Sequence, residues 1–198
     1  MKNYAQQFDC DEGAAEKVYK ASFKVGNAGC FLSNNNLVVF NPTEKTFYEI
    51  DTDGGVQRTV TNENLFRLLA SAILHMIETE DKNWIIAQVN KVLTIRPDGR
   101  VQNVIQKEDG SDRRFQNLCC DNYGNIFTIF THIEKIDRSY LTVSDILLLN
   151  SDGTLSNKLY SQNSLCNYVN SAMHMTTDGF GNIWICINQR KVGIFSYL

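Results

Sequence analysis

Three polar residues stand at the same position of three repeated segments of the chain: His75, Asn117 and His174. Imidazole and carboxamide groups donate and accept hydrogen bonds, and a neutral imidazole also binds transition metals. If the fold brings the three together, they form a polar site for a ligand; alternatively, they bond only backbone and water. A zinc site needs three or four ligands in a defined geometry, and the first segment offers only Asn27 or Ala28 nearby. We therefore expect a binding site without a metal.

The elements that must position these residues are internal repeats. Segments 75–86, 117–128 and 174–185 align on their turns and aromatic residues, and a weaker copy spans 29–40. An insertion at Thr131–Ser144 lengthens the third interval between repeats. The intervals are 45, 43 and 57 residues between the positions taken as equivalent, which are Val39, Trp84, Phe127 and Trp184.

Within each repeat, short apolar and β-branched runs alternate with turns that contain Gly or Asn. Such runs indicate strands, and an Asp-Gly pair between two of them indicates a hairpin. One short helix is expected at Asn64–Ala70. A period of about 40–50 residues with four strands per unit is typical of a β-propeller. The sequence thus predicts an all-β fold, a β-propeller of about four blades of four antiparallel strands, as a closed small ring or a partial propeller. The predicted blades are approximately residues 28–62, 72–107, 115–161 and 171–198.

The two ends of the chain suggest how the ring closes. Residues 1–17 are predicted to be an N-terminal tail, and residues 18–198 a single propeller-like domain. The last repeat stops after its third strand, while residues 18–25 are strand-like and have no repeat of their own. We expect this segment to pair with residues 192–197 and so to cover the open edge of the last blade. The alternative is an open arc of blades from a larger propeller.

Two motifs carry a resemblance to known propeller repeats over about residues 28–198. The motif Asp178-x-x-Gly181-Asn182-Ile183-Trp184-Ile185, followed by Val192-x-Ile194-Phe195, resembles two-component-regulator propeller repeats. The motif Asp121-x-x-Gly124-Asn125-Ile126-Phe127, followed by Asp152-Gly153, resembles NHL repeats. The resemblance implies a β-propeller fold and a platform that senses a ligand or binds a macromolecule. It describes a scaffold and not an activity.

The predicted blades define two faces. We call the face that holds the first and third turns of each blade the bottom face, and the opposite face, which holds the remaining loops, the top face. His75, Asn117 and His174 are expected at the top mouth of the central channel. An elaborated loop on a rigid scaffold often builds specificity, so the insertion is a second candidate, unless it is only an extended hairpin. The other candidate binding residues on the top face are basic pairs and residues of the insertion: Arg113, Arg114, Arg190, Lys191, His132, Lys135 and Arg138.

Composition and missing motifs exclude several classes of function. The net charge of -3 and the pI of about 5.6 provide no overall basic excess for a polyanion. No nucleophile elbow, zinc-protease motif, P-loop or C-x-x-C pair occurs, so we expect no enzyme, no cofactor and no metal. No apolar run reaches the roughly 18 residues of a membrane span, and the N-terminus has no apolar signal core. We expect a cytoplasmic protein whose six cysteines are free thiols.

Three functions remain open. The first is a non-catalytic binding or scaffold module that recognises a protein or peptide through the top-face loops. The second is an RNA-binding, NHL-like propeller, favoured by the basic pairs and opposed by the acidic pI. The third is a metal-dependent, lactonase-like hydrolase, which needs acidic ligands in the channel where the inner strands offer only Glu78.

Overall fold

The computed structural model describes residues 4–8, 15–20, 28–69, 72–106, 114–136, 139–163, 174–178, 180–188 and 191–196. The described elements are strands and one short helix. In chain order they are β1 (Tyr4–Phe8), β2 (Ala15–Lys20), β3 (Gly29–Phe31), β4 (Leu37–Asn41), β5 (Thr46–Ile50), β6 (Val56–Val60), α1 (Glu63–Leu68), β7 (Ile73–Glu78), β8 (Trp84–Gln88), β9 (Lys91–Ile95), β10 (Val101–Gln106), β11 (Arg114–Cys120), β12 (Ile126–Ile136), β13 (Ser139–Leu149), β14 (Leu155–Asn163), β15 (His174–Thr177), β16 (Asn182–Asn188) and β17 (Lys191–Ser196). No helix in the described part of the chain is long and apolar enough to span a membrane.

The strands form antiparallel sheets in which sequence neighbours are also neighbours in space. β3–β6, β7–β10 and β11–β14 are three four-stranded sheets, and β15–β17 form a sheet of three described strands. Each ladder is antiparallel, and short turns join consecutive strands. This arrangement confirms the predicted all-β fold with several antiparallel sheets.

The first hairpins of the sheets β3–β6, β7–β10, β11–β14 and β15–β17 close with the same backbone hydrogen bond. These bonds keep segments 75–86, 117–128 and 174–185 aligned but change the residues that mark equivalent positions. The four hairpin bonds make Leu37, Trp84, Ile126 and Ile183 equivalent, so Trp84 does not correspond to Phe127 or Trp184 as the sequence suggested. Adjacent strand residues point to opposite faces. Accordingly, Trp84 is 1% exposed and Trp184 is 39% exposed. The bonds run from Leu32 N to Asn36 O (2.7 Å), Thr79 N to Asn83 O (2.9 Å), Asp121 N to Asn125 O (3.1 Å) and Asp178 N to Asn182 O (3.1 Å).

Apolar side chains pack successive sheets face to face. Between the first two sheets, the Phe47 ring lies 4.9 Å from that of Phe40 and 5.6 Å from that of Trp84. A second cluster, around Phe115 and Phe130, joins the second and third sheets, and a third cluster joins the third and fourth. The first strands β3, β7, β11 and β15 contact one another in that order. Burial of these apolar faces against each other stabilises the packing of each sheet against the next one.

Helix α1 connects the first two sheets, as the sequence predicts. The Asn62 side chain caps its N-terminus by accepting hydrogen bonds from the backbone N–H groups of Asn64 and Leu65. Leu65 is fully buried among residues of the first two sheets. The insertion is an extended hairpin: β12 and β13 pair continuously from Ile126 opposite Leu149 to Ile136 opposite Ser139. The insertion is therefore an extended hairpin, which is the alternative that the sequence left open.

The described part of the predicted closing strand pairs with a strand at the N-terminus. Val18–Lys20 pair with β1, in the register Tyr4 opposite Lys20 and Gln6 opposite Val18. Among the described residues, no ladder joins β2 to β17. β1 also lies within residues 1–17, which the sequence treats as a tail. The rest of the predicted closing strand, residues 21–25, lies outside the described residues.

Candidate functional site

Among the described residues, three clefts open on the bottom face, where the first and third turns of each sheet lie. The central cleft, about 330 Å³, lies among the first hairpins of the first three sheets. One lateral cleft, about 550 Å³, lies between the first and second sheets, and the other, about 360 Å³, lies between the second and third. An antiparallel meander places its first and third turns at the same end, which is why these turns meet here.

Shared residues join the clefts into one surface, which we call the bottom-face groove. Ser33, Glu78 and Lys82 line both the central cleft and the first lateral cleft. Glu80 and Gly124 line both the central cleft and the second lateral cleft. The groove thus runs across the first hairpins of three consecutive sheets.

Two hydrogen bonds tie the first two hairpins together in the floor of the groove. The backbone N–H of Ser33 donates to Glu78 Oε2 at 2.6 Å, and Lys82 Nζ donates to Ser33 Oγ at 2.6 Å. In the neighbouring strand β3, burial, followed by the negative charge of Glu78, raises the pKa of the Cys30 thiol to about 12. The thiol stays protonated at neutral pH and is a poor nucleophile.

Exposed aromatic side chains stand at the rim of the groove. Phe31 is 62% exposed and Tyr123 is 65% exposed, and both line clefts of the groove. Phe180, which is 85% exposed, holds the same position in the fourth hairpin as Tyr123 does in the third. Single exposed apolar side chains are normal, so what singles out Phe31 and Tyr123 is that both line the connected clefts.

Aspartates at the start of the hairpins hold the aromatic residues in place. Asp121 Oδ1 accepts from Tyr123 N at 2.9 Å, and Asp178 Oδ1 accepts from Phe180 N at 2.8 Å. The indole N–H of Trp184 donates to Asp178 Oδ2 at 2.8 Å. This bond, more than the others, lowers the pKa of Asp178 to about 2. These carboxylates therefore organise their own turns, which explains the repeated Asp-x-x-Gly-Asn motif structurally.

The predicted polar column lies at the other end of the inner strands. His75, Asn117 and His174 stand on β7, β11 and β15, each four residues before its hairpin bond, so the predicted equivalence is correct. Burial, then the charge of His174, lowers the pKa of His75. His75 Nδ1 is buried and has no hydrogen-bond partner among the described residues, while Asn117 is 5% exposed. The structure brings the two histidines within electrostatic range of each other on either side of β11.

The other predicted site residues do not form one cluster among the described residues. The His132 ring stacks on Phe130 at 5.4 Å, and its Nδ1 lies 3.8 Å from Asp145 Oδ2, so this residue packs within the third sheet. Arg114 opens β11, opposite Thr131. Lys135 and Lys191 lie on β12 and β17, but their side chains fall outside the described part. Arg113, Arg138 and Arg190 lie outside the described residues altogether.

Sequence reasoning missed the groove. Its floor residue Ser33 and its carboxylate Glu80 belong to no motif, and they come from different repeats. A signal was present, however, in the aromatic residue between Asp and Gly-Asn in two repeats, Tyr123 and Phe180. In the described residues, no group of three or more His, Cys, Asp or Glu side chains is arranged to hold a metal ion.

Comparison with known proteins identifies the fold. No family model matches the chain. No curated protein matches it either. Among solved structures, a protein of unknown function from Bacteroides caccae is similar with a TM-score of 0.57 and 14% identity, over 94% of this chain and 65% of that one. The fold is of the β-propeller type.

Two further propeller-type structures are similar at the level of the fold. A catalytically inactive variant of virginiamycin B lyase from Staphylococcus aureus, solved with quinupristin, has a TM-score of 0.50 and 11% identity, over 98% of this chain and 77% of that one. Hydrazine synthase from Kuenenia stuttgartiensis has a TM-score of 0.56 and 10% identity, over 96% and 70%. This chain spans less than two thirds of the Bacteroides caccae protein. Identities this low establish a shared fold and leave activity open.

Proposed function

We propose that the chain is a non-catalytic binding module that takes a protein or peptide partner in its bottom-face groove. The observation that carries the proposal is the continuity of the three clefts through Ser33, Glu78, Lys82, Glu80 and Gly124. A long, open groove on a rigid sheet scaffold suits an extended chain better than a small molecule, which binds in an enclosed pocket.

The hairpins that build the groove satisfy their own polar groups. Asp121 accepts backbone N–H groups of its turn, and Ser33 and Lys82 bond across two hairpins. The hairpins therefore lose little conformational entropy when a partner binds, and this favours affinity. The protonated Cys30 thiol supports binding in preference to covalent chemistry.

The top-face mouth is a second candidate surface for the same function. His75 and His174 stand near each other there, and each imidazole can donate or accept a hydrogen bond. The RNA-binding alternative also stays a prediction for the top face, because Arg113, Arg138 and Arg190 lie outside the described residues.

We also propose that the four sheets are four successive blades of one propeller. Support comes from the order in which the inner strands β3, β7, β11 and β15 contact one another, with the apolar clusters between neighbouring sheets. In this arrangement the first hairpins of all the blades face the same end of the channel. The groove then spans the bottom mouth.

The binding proposal can be tested by selecting a random peptide library against the purified chain. We expect enriched peptides whose binding is lost in the Ser33→Tyr variant, because the exposed Ser33 lies where the central and first lateral clefts meet and a phenol there fills the groove. Thr43→Tyr is the matched control, since Thr43 is exposed in a turn of the top face. Failure to enrich any peptide, or equal binding by both variants and the wild type, would refute the groove as the binding site.

A further inference from the structure

Resting on the proposed function, we infer that the groove recognises a cationic peptide segment, with a Lys or Arg side chain seated between Tyr123 and Glu80. Both residues line the second lateral cleft, of about 360 Å³. An aromatic ring and a carboxylate side by side bind a cation more tightly than a neutral or acidic side chain. We call the site between Tyr123 and Glu80 the seat.

The charges in the groove point to a cation. Glu78 accepts a hydrogen bond from the uncharged backbone N–H of Ser33, so its negative charge is not neutralised by that contact. Lys82 donates to the uncharged hydroxyl of Ser33, and no ion pair joins it to Glu78 or Glu80 within the described part of the chain. Asp81 adds a further carboxylate to the second lateral cleft. The central and second lateral clefts thus carry more negative than positive charge.

The position of Glu80 fixes the seat next to the third hairpin. A Cβ atom placed on Gly124 would lie 3.0 Å from Glu80 Oε2, so the carboxylate rests against the hairpin backbone directly after Tyr123. Gly124 has a φ of +79°, a conformation that favours glycine. The missing side chain thereby lets a carboxylate from the second sheet approach the backbone of the third hairpin, next to Tyr123 in sequence.

The central cleft also contains an exposed aromatic ring and carboxylates, together with Lys82. Phe31, 62% exposed, and Glu78 both line the central cleft, which also contains Glu80. An extended peptide with basic residues at intervals can therefore place one cation at Tyr123 and Glu80 and another at Phe31 and Glu78. Repulsion by the same carboxylates disfavours acidic partners, which adds specificity.

The test is the binding of labelled peptides to the intact chain, followed by fluorescence anisotropy. The probes are a peptide of alternating glycine and lysine and two matched peptides with glutamate or serine in place of lysine. Glu80→Gln and Tyr123→Leu are each expected to weaken the lysine peptide about two- to fivefold. Glu63→Gln is the matched control: it removes the same charge from an exposed residue of helix α1, outside the groove.

We expect the lysine peptide to bind most tightly, with the loss confined to the two groove variants and reduced at high salt. If Glu63→Gln weakens binding as much as Glu80→Gln does, general attraction to an acidic protein explains the result and the inference is wrong. If the serine or glutamate peptide binds as well as the lysine peptide and is displaced by Ser33→Tyr, the inference fails while the groove proposal stands. If no peptide of any charge binds, both fail.

Discussion

The guanidinium of Arg58 lies over the indole of Trp84, 5.6 Å from the ring centroid, and its Nη2 lies 2.7 Å from Glu49 Oε2. Arg58 belongs to the outer strand of the first sheet and Trp84 to the second strand of the second sheet. One side chain thus connects two sheets at the wall of the first lateral cleft.

Substitution of Arg58 by alanine is expected to lower the free energy of unfolding by about 1–2 kcal/mol, because both the ring contact and a charge-assisted hydrogen bond are lost. Urea denaturation measures this change. Arg100→Ala provides the comparison, since its contact with Asp98 joins two exposed side chains at 3.3 Å and is worth about 0–0.5 kcal/mol. Equal effects of the two substitutions would contradict the bridging role of Arg58.

Gly153 is expected to be the least replaceable glycine of the third turns. Its φ is +81°, and a Cβ atom there would lie 1.9 Å from Thr94 Oγ1 in the second sheet. Gly153→Ala should cost about 2–4 kcal/mol from backbone strain and the clash together. Gly124→Ala has the same kind of φ but meets only the flexible end of Glu80, so it should cost about 1 kcal/mol. Thermal denaturation measures the loss of stability in both variants. The loss in Gly124→Ala gives the cost of backbone strain, and the additional loss in Gly153→Ala gives the cost of the clash with Thr94.

The low pKa of Asp178 depends on Trp184. Removal of the indole donor in Trp184→Phe is expected to raise the pKa of Asp178 from about 2 towards its ordinary value. Because the folded-state pKa lies below the unfolded-state value, the stabilisation is complete above the unfolded pKa and is lost as the pH falls towards 2. Carboxyl NMR titration gives the midpoint. The control Trp84→Phe removes the other tryptophan, which does not contact Asp178, and should leave the midpoint unchanged.

His75 should titrate below the ordinary pH range of histidine because burial and His174 both disfavour its charge. The unfolded chain then binds the proton more readily, so stability is full above the unfolded pKa and declines as the pH falls through the folded one. In imidazole NMR titrations, His174→Gln should raise the midpoint of His75 and His132→Asn should not. No change with His174→Gln would show that the two rings do not interact.

The fold could be predicted because the sequence signals for it involve residues that are close together in the chain. Asp-Gly pairs, Asn-containing turns and the repeat period each specify a hairpin within one sheet, and the antiparallel meander follows from them. The error in pairing Trp84 with Trp184 arose because the aromatic residue was used as the reference. Segments 75–86, 117–128 and 174–185 nevertheless align as the hairpin bonds require, with Trp84 equivalent to Ile126 and Ile183.

The N-terminal closure and the groove depended on contacts that sequence patterns do not specify. A strand-like run predicts a strand at residues 18–20 but not its partner, which is β1. Likewise, Ser33 and Lys82 belong to hairpins of different repeats and meet only when the sheets pack. The column of His75, Asn117 and His174 was found because all three occupy one position of the repeat.

Binding of a peptide partner in the bottom-face groove changes the hydrogen exchange of the backbone amides there. The decisive measurement is hydrogen exchange of the intact chain, with and without the tightest peptide selected from the random library. We expect added protection in the first hairpins of the first three sheets, at residues 31–36, 78–83 and 120–125, and no change in the β12–β13 hairpin. Protection confined to the β12–β13 hairpin or to the residues around His75 and His174 would place the partner on the top face and contradict the account.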